Sequence, residues 1–228
     1  MSYRIIPSVN PLLLDEQDRV KCILGVSLNN KSIYDKHFEM IFRWVSQNFG
    51  NCKFVIGDYI NRITEMIFND KDEEQAIADS LLIGDEVYNC MTRAIPPEFK
   101  NKFDIIRWKD LFDFYPEINE EINNIKYLYD HDDSVNRELT QTATQFIQKS
   151  LSKDNSLSLS LNQAIEKSKE YLFEEMAVFS VLIKHGYRVQ LYPGTQLKIL
   201  KSFANGTLKE FNTSLTKGIY IDLNIKKR

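Results

Sequence analysis

A single serine stands where an apolar segment of the chain gives way to a polar loop. Cys22–Val26 is an apolar run, Ser27 follows it directly, and Asn29 and Asn30 come next. A run this short predicts a strand buried on both faces rather than a helix. A hydroxyl at the carboxyl end of a strand can take up and release an acyl group, which makes Ser27 a candidate nucleophile. Serines in such places also act as caps or loop formers, and that interpretation stays open.

The usual partners of a hydrolytic serine are not apparent. The sequence contains no Gly-x-Ser-x-Gly turn. Its histidines stand in charged segments or at a helix end, which predicts surface positions for His37, His131 and His185. A serine hydrolase is therefore not the favoured class.

A phenol and a carboxylate form the second candidate group. Tyr171 and Glu175 are four residues apart, so a helix places them on one face, one turn from each other. Their neighbours in the sequence are mostly apolar, and the pair would bind a small cation such as the ammonium group of an amino acid. The alternative is that Glu175 faces solvent beside Glu174.

The third candidate group is Tyr192-Pro193, at the end of a short apolar segment. Proline cannot continue a ladder of backbone hydrogen bonds, so Tyr192 is the last residue of its strand. Taken alone, Tyr192 fits a core or rim tyrosine equally well. Parallel strands bring their carboxyl ends to one edge of a sheet, and open α/β sheets bind ligands there. We therefore expect Ser27, Tyr192 and the Tyr171/Glu175 pair to converge.

The elements that would position these groups alternate between strands and helices. Apolar runs predict strands over Cys22–Val26, Cys52–Ile56, Phe103–Trp108, Val189–Tyr192 and Gly218–Leu223. Helical spacing predicts helices over Tyr34–Phe49, Asp72–Ile95, Leu111–Asp130 with a break near Pro116, Asp133–Leu151, Asn162–Lys184 and Gln196–Phe203. Tyr59–Asp70 is predicted as a turn or short helix, and Ser150–Ser160 as a mobile surface loop. This alternation predicts an α/β fold with a mostly parallel sheet.

Length and composition favour one domain over residues 1–228. The chain has 228 residues, 43% of them hydrophobic, which is enough to bury a substantial core. Residues 1–20 are predicted to be an extended lead-in that packs a few leucines onto the body, and residues 224–228 a solvated tail. A monomer is the default expectation.

Charge and cysteine usage limit the partners and the compartment. The formal net charge is -3, so any RNA contact would need a local basic patch. Cys22, Cys52 and Cys90 have neither a metal-binding spacing nor a disulfide framework, which favours a reducing cytoplasm and no metal. No apolar segment is long enough to span a bilayer, and no secretion signal is apparent.

At this point the sequence resembles the tRNA-dependent cyclodipeptide synthases. The match runs from about Lys21 to Leu223, and its pieces keep the order and separation of the family. They are Gly25-Val26-Ser27 with the following asparagine-rich loop, the helix through Trp44 and Phe49, the strand Phe54-Val55, Tyr171-x-x-x-Glu175, and Tyr192-Pro193. The last pair is similar to the branch that carries Tyr-Pro rather than Tyr-His.

The resemblance implies both a fold and an activity. The fold is a Rossmann-like domain, with helices flanking the sheet, similar to the catalytic domain of class I tyrosyl- and tryptophanyl-tRNA synthetases. The activity is the condensation of two aminoacyl-tRNAs into a cyclic dipeptide without ATP or another cofactor. The sequence fits the absence of ATP chemistry, because it has no glycine-rich phosphate loop.

The resemblance also implies roles for single residues. Ser27 would carry the first amino acid as an ester, and Tyr171 and Glu175 would hold its ammonium group. Tyr192 would position the intermediate and help to relay protons. Gly25 would leave room near the ester. The remaining substrate-binding residues would be Asn30, Pro193 and the lining of the first side-chain pocket, Ile23, Val55, Val178 and Gln190.

Two features depart from the family pattern. Relatives of the best-known type carry a strongly basic helix after the second strand, but Asp72–Ile95 contains only Arg93, with Lys71 just before it. In addition, Asn30 matches the Tyr-His branch, although Pro193 matches the other. The remaining candidates for tRNA contact are Lys149, Lys153, Lys167, Lys169, Lys198, Lys201 and the basic carboxyl terminus.

Two other functions stay open on the sequence. One is an aminoacyl transferase that uses charged tRNA but modifies a different acceptor. The other is a Rossmann-like binding module without turnover, in which Ser27 only forms a loop.

Overall fold

A computed structural model describes residues 3–30, 36–153, 155–208 and 213–227. Within these ranges the chain forms six strands and eight α-helices. The strands are β1 (Tyr3–Pro7), β2 (Lys21–Val26), β3 (Asn51–Ile56), β4 (Phe103–Arg107), β5 (Val189–Tyr192) and β6 (Ile219–Lys227). The helices are α1 (Lys36–Asn48), α2 (Asp58–Phe68), α3 (Glu73–Ala94), α4 (Trp108–Phe114), α5 (Ile118–His131), α6 (Asp133–Leu151), α7 (Leu161–Lys184) and α8 (Lys198–Ala204).

The strands form one sheet in the order β1-β6-β5-β2-β3-β4. β1 is antiparallel to β6, and every other neighbouring pair is parallel. Numbered among themselves, the parallel strands follow the order 3-2-1-4-5 of a Rossmann fold, and the order reverses between β2 and β5. The predicted α/β fold with a mostly parallel sheet is confirmed, and the place of reversal is where such sheets bind ligands.

Side chains of the central strands alternate between two cores. Leu24 and Phe54 point to the side of the sheet covered by α1 and α3, where they pack with Phe42. Ile23 and Val55 point to the other side and pack against α7. Each of these five side chains is at most 1% exposed, because helices cover both faces of the sheet.

α7 is the central helix of the second layer. It contacts α2, α5 and α6. A capping box fixes its start, in which the Ser160 hydroxyl accepts from the Gln163 backbone N–H and the Gln163 side chain accepts from the Ser160 N–H. Gly186, with a positive φ of 88°, follows its carboxyl end. The 24-residue helix is therefore held at both ends, which fixes the face that carries Tyr171 and Glu175.

Both chain ends differ from the sequence predictions. Residues 3–7 of the predicted lead-in form β1, which pairs with Leu223–Lys227, so residues 224–227 continue β6 instead of forming a tail. The predicted packing of the leucines is wrong for Leu12 and Leu13, which are 66% and 81% exposed. The pattern of apolar residues within each chain end could not reveal this pairing, because the two paired strands lie more than 200 residues apart in the chain.

Several helices and strands begin or end at residues other than those predicted from the sequence. Tyr59–Asp70 lies mostly within α2, an 11-residue amphipathic helix, and Trp108 begins α4 instead of ending β4. The helix predicted from Tyr34 is described from Lys36 onward, so its first two residues lie outside the described residues. The predicted break near Pro116 is confirmed, because α4 ends at Phe114 and α5 begins at Ile118.

The serine-rich segment before α7 is anchored rather than loose. Ser158 donates its hydroxyl to the carbonyls of Met66 and Ile67 at the end of α2, at 2.8 and 2.9 Å. Leu157 and Leu159 pack beside it against a small apolar cluster. These contacts join the segment to α2, so the prediction of a mobile loop is not supported by the structure around Ser158.

The cysteines of the two central strands lie where the sequence predicts them, and one histidine does not. Cys22 and Cys52 are buried free thiols on β2 and β3, and they are also register partners. The ring of His37 is not at the surface, because both its nitrogens are buried and its ring packs edge-on against Tyr3.

A buried ion pair joins β4 to the start of α2. Asp58 is fully buried, and its carboxylate accepts hydrogen bonds from Arg107 Nε, from the Trp108 N–H at 3.0 Å and from the Tyr59 N–H at 2.7 Å. Arg107 also pairs with Asp85 on α3. Arg107 is only 9% exposed although it is charged, because Asp58 and Asp85 neutralise it.

We predict that Asp58→Ala lowers the free energy of unfolding by roughly 3 to 5 kcal/mol, since it leaves a buried guanidinium without its main partner. Urea titration at neutral pH measures the change. Asp104→Ala is the matched control, because Asp104 pairs with Lys53 while 69% exposed, and its loss should cost less than about 1 kcal/mol. Equal effects of the two changes would contradict the prediction.

Candidate active site

A cavity of about 480 Å³ opens at the carboxyl edge of the sheet, between β2 and β5 and under α7. Residues from both strands and from α7 line it together. Among the predicted site residues, the structure places Gly25, Ser27, Tyr171, Glu175, Gln190 and Tyr192 in its wall. The three candidate groups of the sequence analysis therefore share one cavity.

The loop that carries Ser27 is tied down on both sides. Asn29 donates from Nδ2 to Asn61 Oδ1 on α2, at 2.8 Å. Asn30 donates from Nδ2 to the carbonyl of Pro193 just after β5, at 2.6 Å. The two amides hold the loop between α2 and the end of β5, which fixes the position of the Ser27 backbone at the cavity wall.

Small residues let the Tyr192 ring lie close to the backbone. A side chain at Gly194 would place its first carbon 3.2 Å from Tyr192 Cε1, which is a tight contact. At Gly25 the corresponding distance, to Cδ2, is 3.5 Å, which is an ordinary van der Waals contact. Gly194 also has a φ of 134°, in a region that favours glycine. The Tyr192 phenol is therefore packed between these two glycines beside the Ser27 loop.

Electrostatic interactions link Tyr192 to the other groups. Burial raises the pKa of the Tyr192 phenol, the Glu175 carboxylate raises it further, and hydrogen bonding with the Ser27 and Asn30 side chains lowers it. Burial also raises the pKa of Tyr171 well above its usual range, with additional contributions from Glu175 and Tyr192. Both phenols thus stay protonated at neutral pH and can donate hydrogen bonds within the cavity.

Glu175 is the least satisfied polar group of the site. Its Oε2 atom is buried and has no hydrogen-bond partner among the residues that the structure describes. Burial raises the pKa of this carboxyl to about 8, because no nearby cation offsets the loss of hydration. An unpartnered carboxyl in a cavity wall is a site for a cationic ligand group.

Glu174, the neighbouring residue, has a different role. It is 6% exposed and accepts two hydrogen bonds from Arg62, the shorter at 2.7 Å, and one from Trp108 Nε1 at 2.7 Å. These contacts join α7 to α2 and α4. The alternative in which Glu175 faces solvent beside Glu174 is wrong, because Glu174 is buried in this network and Glu175 lines the cavity.

Gln190 lies in the cavity wall on β5. It is 2% exposed, donates from Nε2 to the Tyr187 carbonyl at 2.7 Å, and leaves its Oε1 atom without a partner. Gln196 supports this wall by donating from Nε2 to the Gln190 carbonyl at 2.6 Å. Among the described residues, Gln190 Oε1 is therefore a second unsatisfied acceptor, on a residue of the cavity wall.

Three of the predicted pocket residues do not border the cavity. All three side chains are at most 1% exposed and belong to the core between the sheet and α7. They are Ile23, Val55 and Val178. Alternation along β2 explains the difference for Ile23, since it shares a sheet face with Gly25 but lies deeper, where α7 covers it. The structure therefore does not bring these three side chains to the lining.

Several lining residues escaped the sequence analysis. Asn61 was missed because Tyr59–Asp70 was not recognised as a full helix, although the adjacent Asn29 was noticed. One face of α6 also lines the cavity, through Thr142, Gln145, Phe146 and Lys149. In the sequence, the available signal for this face was a phenylalanine, Phe146, that follows polar residues in a predicted helix.

Within the described ranges, no three His, Cys, Asp or Glu side chains are close enough together to hold a metal ion. None of the helices described is long and apolar enough to cross a membrane.

Comparison with solved structures shows a shared fold. A CDPS from Fluoribacter dumoffii superposes with a TM-score of 0.81 at 19% identity, over 100% of both chains. A Mycobacterium tuberculosis protein, described as demonstrating that cyclodipeptide synthetases are related to type I tRNA synthetases, gives 0.69 at 12% identity, over 99% of this chain and 94% of that one.

A third structure includes a bound RNA. The cyclodipeptide synthase from Candidatus Glomeribacter gigasporarum bound to Phe-tRNAPhe gives a TM-score of 0.65 at 15% identity, over 92% of this chain and 89% of that one. No protein-family model and no curated protein sequence matches the chain. At these identities the comparisons show that the chain has the fold of cyclodipeptide synthases.

The raised pKa of Glu175 predicts a pH-dependent cost to folding. The carboxyl has a pKa near 4.5 in the unfolded chain and about 8 in the folded protein. The folded state therefore binds more protons between these values, and stability is lost as the pH rises through that range. Glu175→Gln should not show this loss, so between about pH 5 and pH 8.5 its unfolding free energy should rise relative to the parent chain by on the order of 4 kcal/mol.

Urea titration of both proteins across this pH range measures the difference. Glu170→Gln, on the same helix but 49% exposed, is the control and should follow the parent chain. Parallel pH profiles for Glu175→Gln and the parent chain would show that the carboxyl titrates normally.

Proposed function

We propose that the chain is a tRNA-dependent cyclodipeptide synthase, which joins the amino acids of two aminoacyl-tRNAs into a 2,5-diketopiperazine. The observation that carries the proposal is the unpartnered Glu175 carboxyl, placed with Tyr171 and Tyr192 in the same cavity as Ser27. An aminoacyl ester presents an ammonium group two bonds from its reactive carbonyl. A site that takes this substrate needs a cation acceptor and a nucleophile in one small cavity.

In the first step, Ser27 Oγ attacks the ester carbonyl of one aminoacyl-tRNA. The new Ser27 ester forms, the bond to the ribose oxygen breaks, and the hydroxyl proton passes to that oxygen. Exchange of one ester for another is close to neutral in free energy, so orientation and proton transfer are the main contributions required of the protein. Tyr192, the pKa of whose phenol is lowered by hydrogen bonding with the Ser27 side chain, relays the proton.

Glu175 and Tyr171 hold the ammonium group of the bound amino acid. A cation beside Glu175 favours the ionised carboxylate, so substrate binding brings its raised pKa down. The carboxylate can then accept a proton from the ammonium as it becomes a nucleophilic amine. The same residue therefore binds the substrate and prepares it for the next step.

In the second step, this amine attacks the ester carbonyl of a second aminoacyl-tRNA. An amide bond forms, the bond to the second ribose oxygen breaks, and a proton of the attacking amine passes to that oxygen. The second tRNA leaves, and Ser27 carries a dipeptide. The free amine of the dipeptide then attacks the Ser27 ester, which closes the six-membered ring and returns the proton to Ser27 Oγ. Tyr192 supports both proton transfers. We propose no cofactor, because both esters are already activated.

The remaining site residues are proposed to shape the substrate pocket. Gly25 leaves room beside the ester, Gln190 contacts the first side chain, and Asn30 with Pro193 holds the Ser27 loop. Tyr192-Pro193 supports assignment to the Tyr-Pro branch. We further propose that the protein acts as a single-domain monomer in the cytoplasm, where charged tRNA is available.

Expression in a bacterium tests this function through the culture medium. The parent chain should release diketopiperazines, which mass spectrometry detects, and Ser27→Ala should reduce them to the level of an empty vector. Ser46→Ala, which changes an exposed serine on α1, is the matched control and should leave the products unchanged. Equal product levels from Ser27→Ala and the parent chain would contradict the proposal.

Product analysis also distinguishes a cyclodipeptide synthase from an aminoacyl transferase that uses a different acceptor. A protein that moves one amino acid to a different acceptor would consume aminoacyl-tRNA in vitro without forming a cyclic dipeptide, and a binding module would not consume it.

Glu175→Gln tests the ammonium site. Loss of the charge should lower the rate of aminoacyl transfer from tRNA at subsaturating substrate by about 30-fold or more, because the substrate ammonium then lacks its counter-ion. Tyr171→Phe should also reduce the rate, whereas Glu170→Gln should not, since Glu170 is exposed and pairs with Lys167. If Glu175→Gln transferred the aminoacyl group at the parent rate, the proposed role of Glu175 in the mechanism would be wrong.

A further inference from the structure

The lysines predicted as candidates for tRNA contact differ in whether they form ion pairs. Four of them pair with acidic side chains: Lys167 with Glu170, Lys169 with Glu166, Lys198 with Glu138, and Lys201 with Asp222. Lys149 is exposed and forms no ion pair with any acid in the described ranges, and it also lines the cavity. Among these candidates, it combines a free charge with a place beside the candidate active site.

Lys149 belongs to a group of three side chains on α6, which we call the α6 rim: Gln145, Phe146 and Lys149. All three are exposed and all three line the cavity. Phe146 is 41% exposed, and its ring packs edge-on against Phe68, with 6.0 Å between ring centroids. The aromatic face is thus held in place while part of it remains accessible to a ligand.

An aromatic ring next to a cation is the arrangement with which proteins bind single-stranded nucleic acid. Bases stack on the ring and the cation contacts the phosphate backbone. The neighbouring Lys198 adds a second cation, since it also lines the cavity and is 59% exposed. Its ion pair with Glu138, at 3.1 Å, is a partly exposed contact that is easily exchanged for a phosphate.

We propose that the α6 rim binds the single-stranded 3′ end of the aminoacyl-tRNA. A base stacks on Phe146, and Lys149 Nζ contacts a backbone phosphate. This inference rests on the proposed function, in which the terminal ribose must bring its ester to Ser27 while the preceding nucleotides leave the cavity along its wall. The α6 rim provides exposed groups along that wall, and α3 provides no basic face for the purpose.

Fluorescence anisotropy with labelled, deacylated bulk tRNA tests this site on the full-length protein. Phe146→Ala should weaken binding about fivefold or more at any salt concentration, because it removes a stacking surface. Lys149→Ala should also weaken binding, and should reduce the slope of log K against log salt by about 0.7, the amount for one phosphate contact to a single strand.

Two matched controls exclude general effects of charge or aromatic content. Lys102→Ala removes an exposed lysine just before β4, at the opposite edge of the sheet, and Tyr127→Ala removes an aromatic ring that is 61% exposed and does not line the cavity. Both controls should bind tRNA like the parent chain. Thermal unfolding checks that all four variants are folded.

The outcomes separate this inference from the proposed function. Parent affinity in both rim variants, or no tRNA binding by the parent chain, would overturn the inference. Unchanged tRNA affinity with a changed set of diketopiperazines would also overturn it, since the α6 rim would then contact an amino-acid side chain. If tRNA binding depends on both rim residues but no diketopiperazine forms, the RNA site stands and the proposed reaction fails.

Discussion

The adjacency of β2 and β5 is the constraint on which the site depends. These parallel strands lie side by side where the order of the sheet reverses, so both of their carboxyl ends open into one crevice. Ser27 follows one strand and Tyr192 ends the other. α7 crosses above them and brings Tyr171 and Glu175 into the same space. No residue of this group has to be placed by a flexible segment, because each stands on or directly after a regular element.

The protein keeps an unfavourable group at the centre of this crevice. A carboxyl without a partner for Oε2 costs folding free energy, and the structure around it supplies compensation. Glu174 binds Arg62 and Trp108, which ties α7 to α2 and α4 beside the cavity. The two consecutive glutamates, Glu174 and Glu175, therefore differ in their surroundings. Glu174 stabilises the position of the helix, and Glu175 leaves a carboxylate oxygen in the cavity wall without a partner among the described residues.

Local patterns were enough to predict much of this arrangement. The apolar run before Ser27 and the proline after Tyr192 each marked the end of a strand, and parallel topology then required the two to meet. The family resemblance implies a pocket role for Ile23 and Val55, but a resemblance in sequence does not show depth, and α7 covers both side chains. Local patterns also could not show contacts between distant segments. The pairing of β1 with β6 and the ion pair of Asp58 with Arg107 are of this kind.

The central claim is that an amino acid is carried on Ser27, and the ester itself can be observed. The purified protein is mixed with aminoacyl-tRNA, quenched in acid within seconds, digested, and analysed by tandem mass spectrometry. The account predicts the mass of one aminoacyl group on the peptide that contains Ser27, released by mild base and absent after Ser27→Ala. Formation of a cyclic dipeptide with no such adduct, or with an adduct on a different residue, would contradict it.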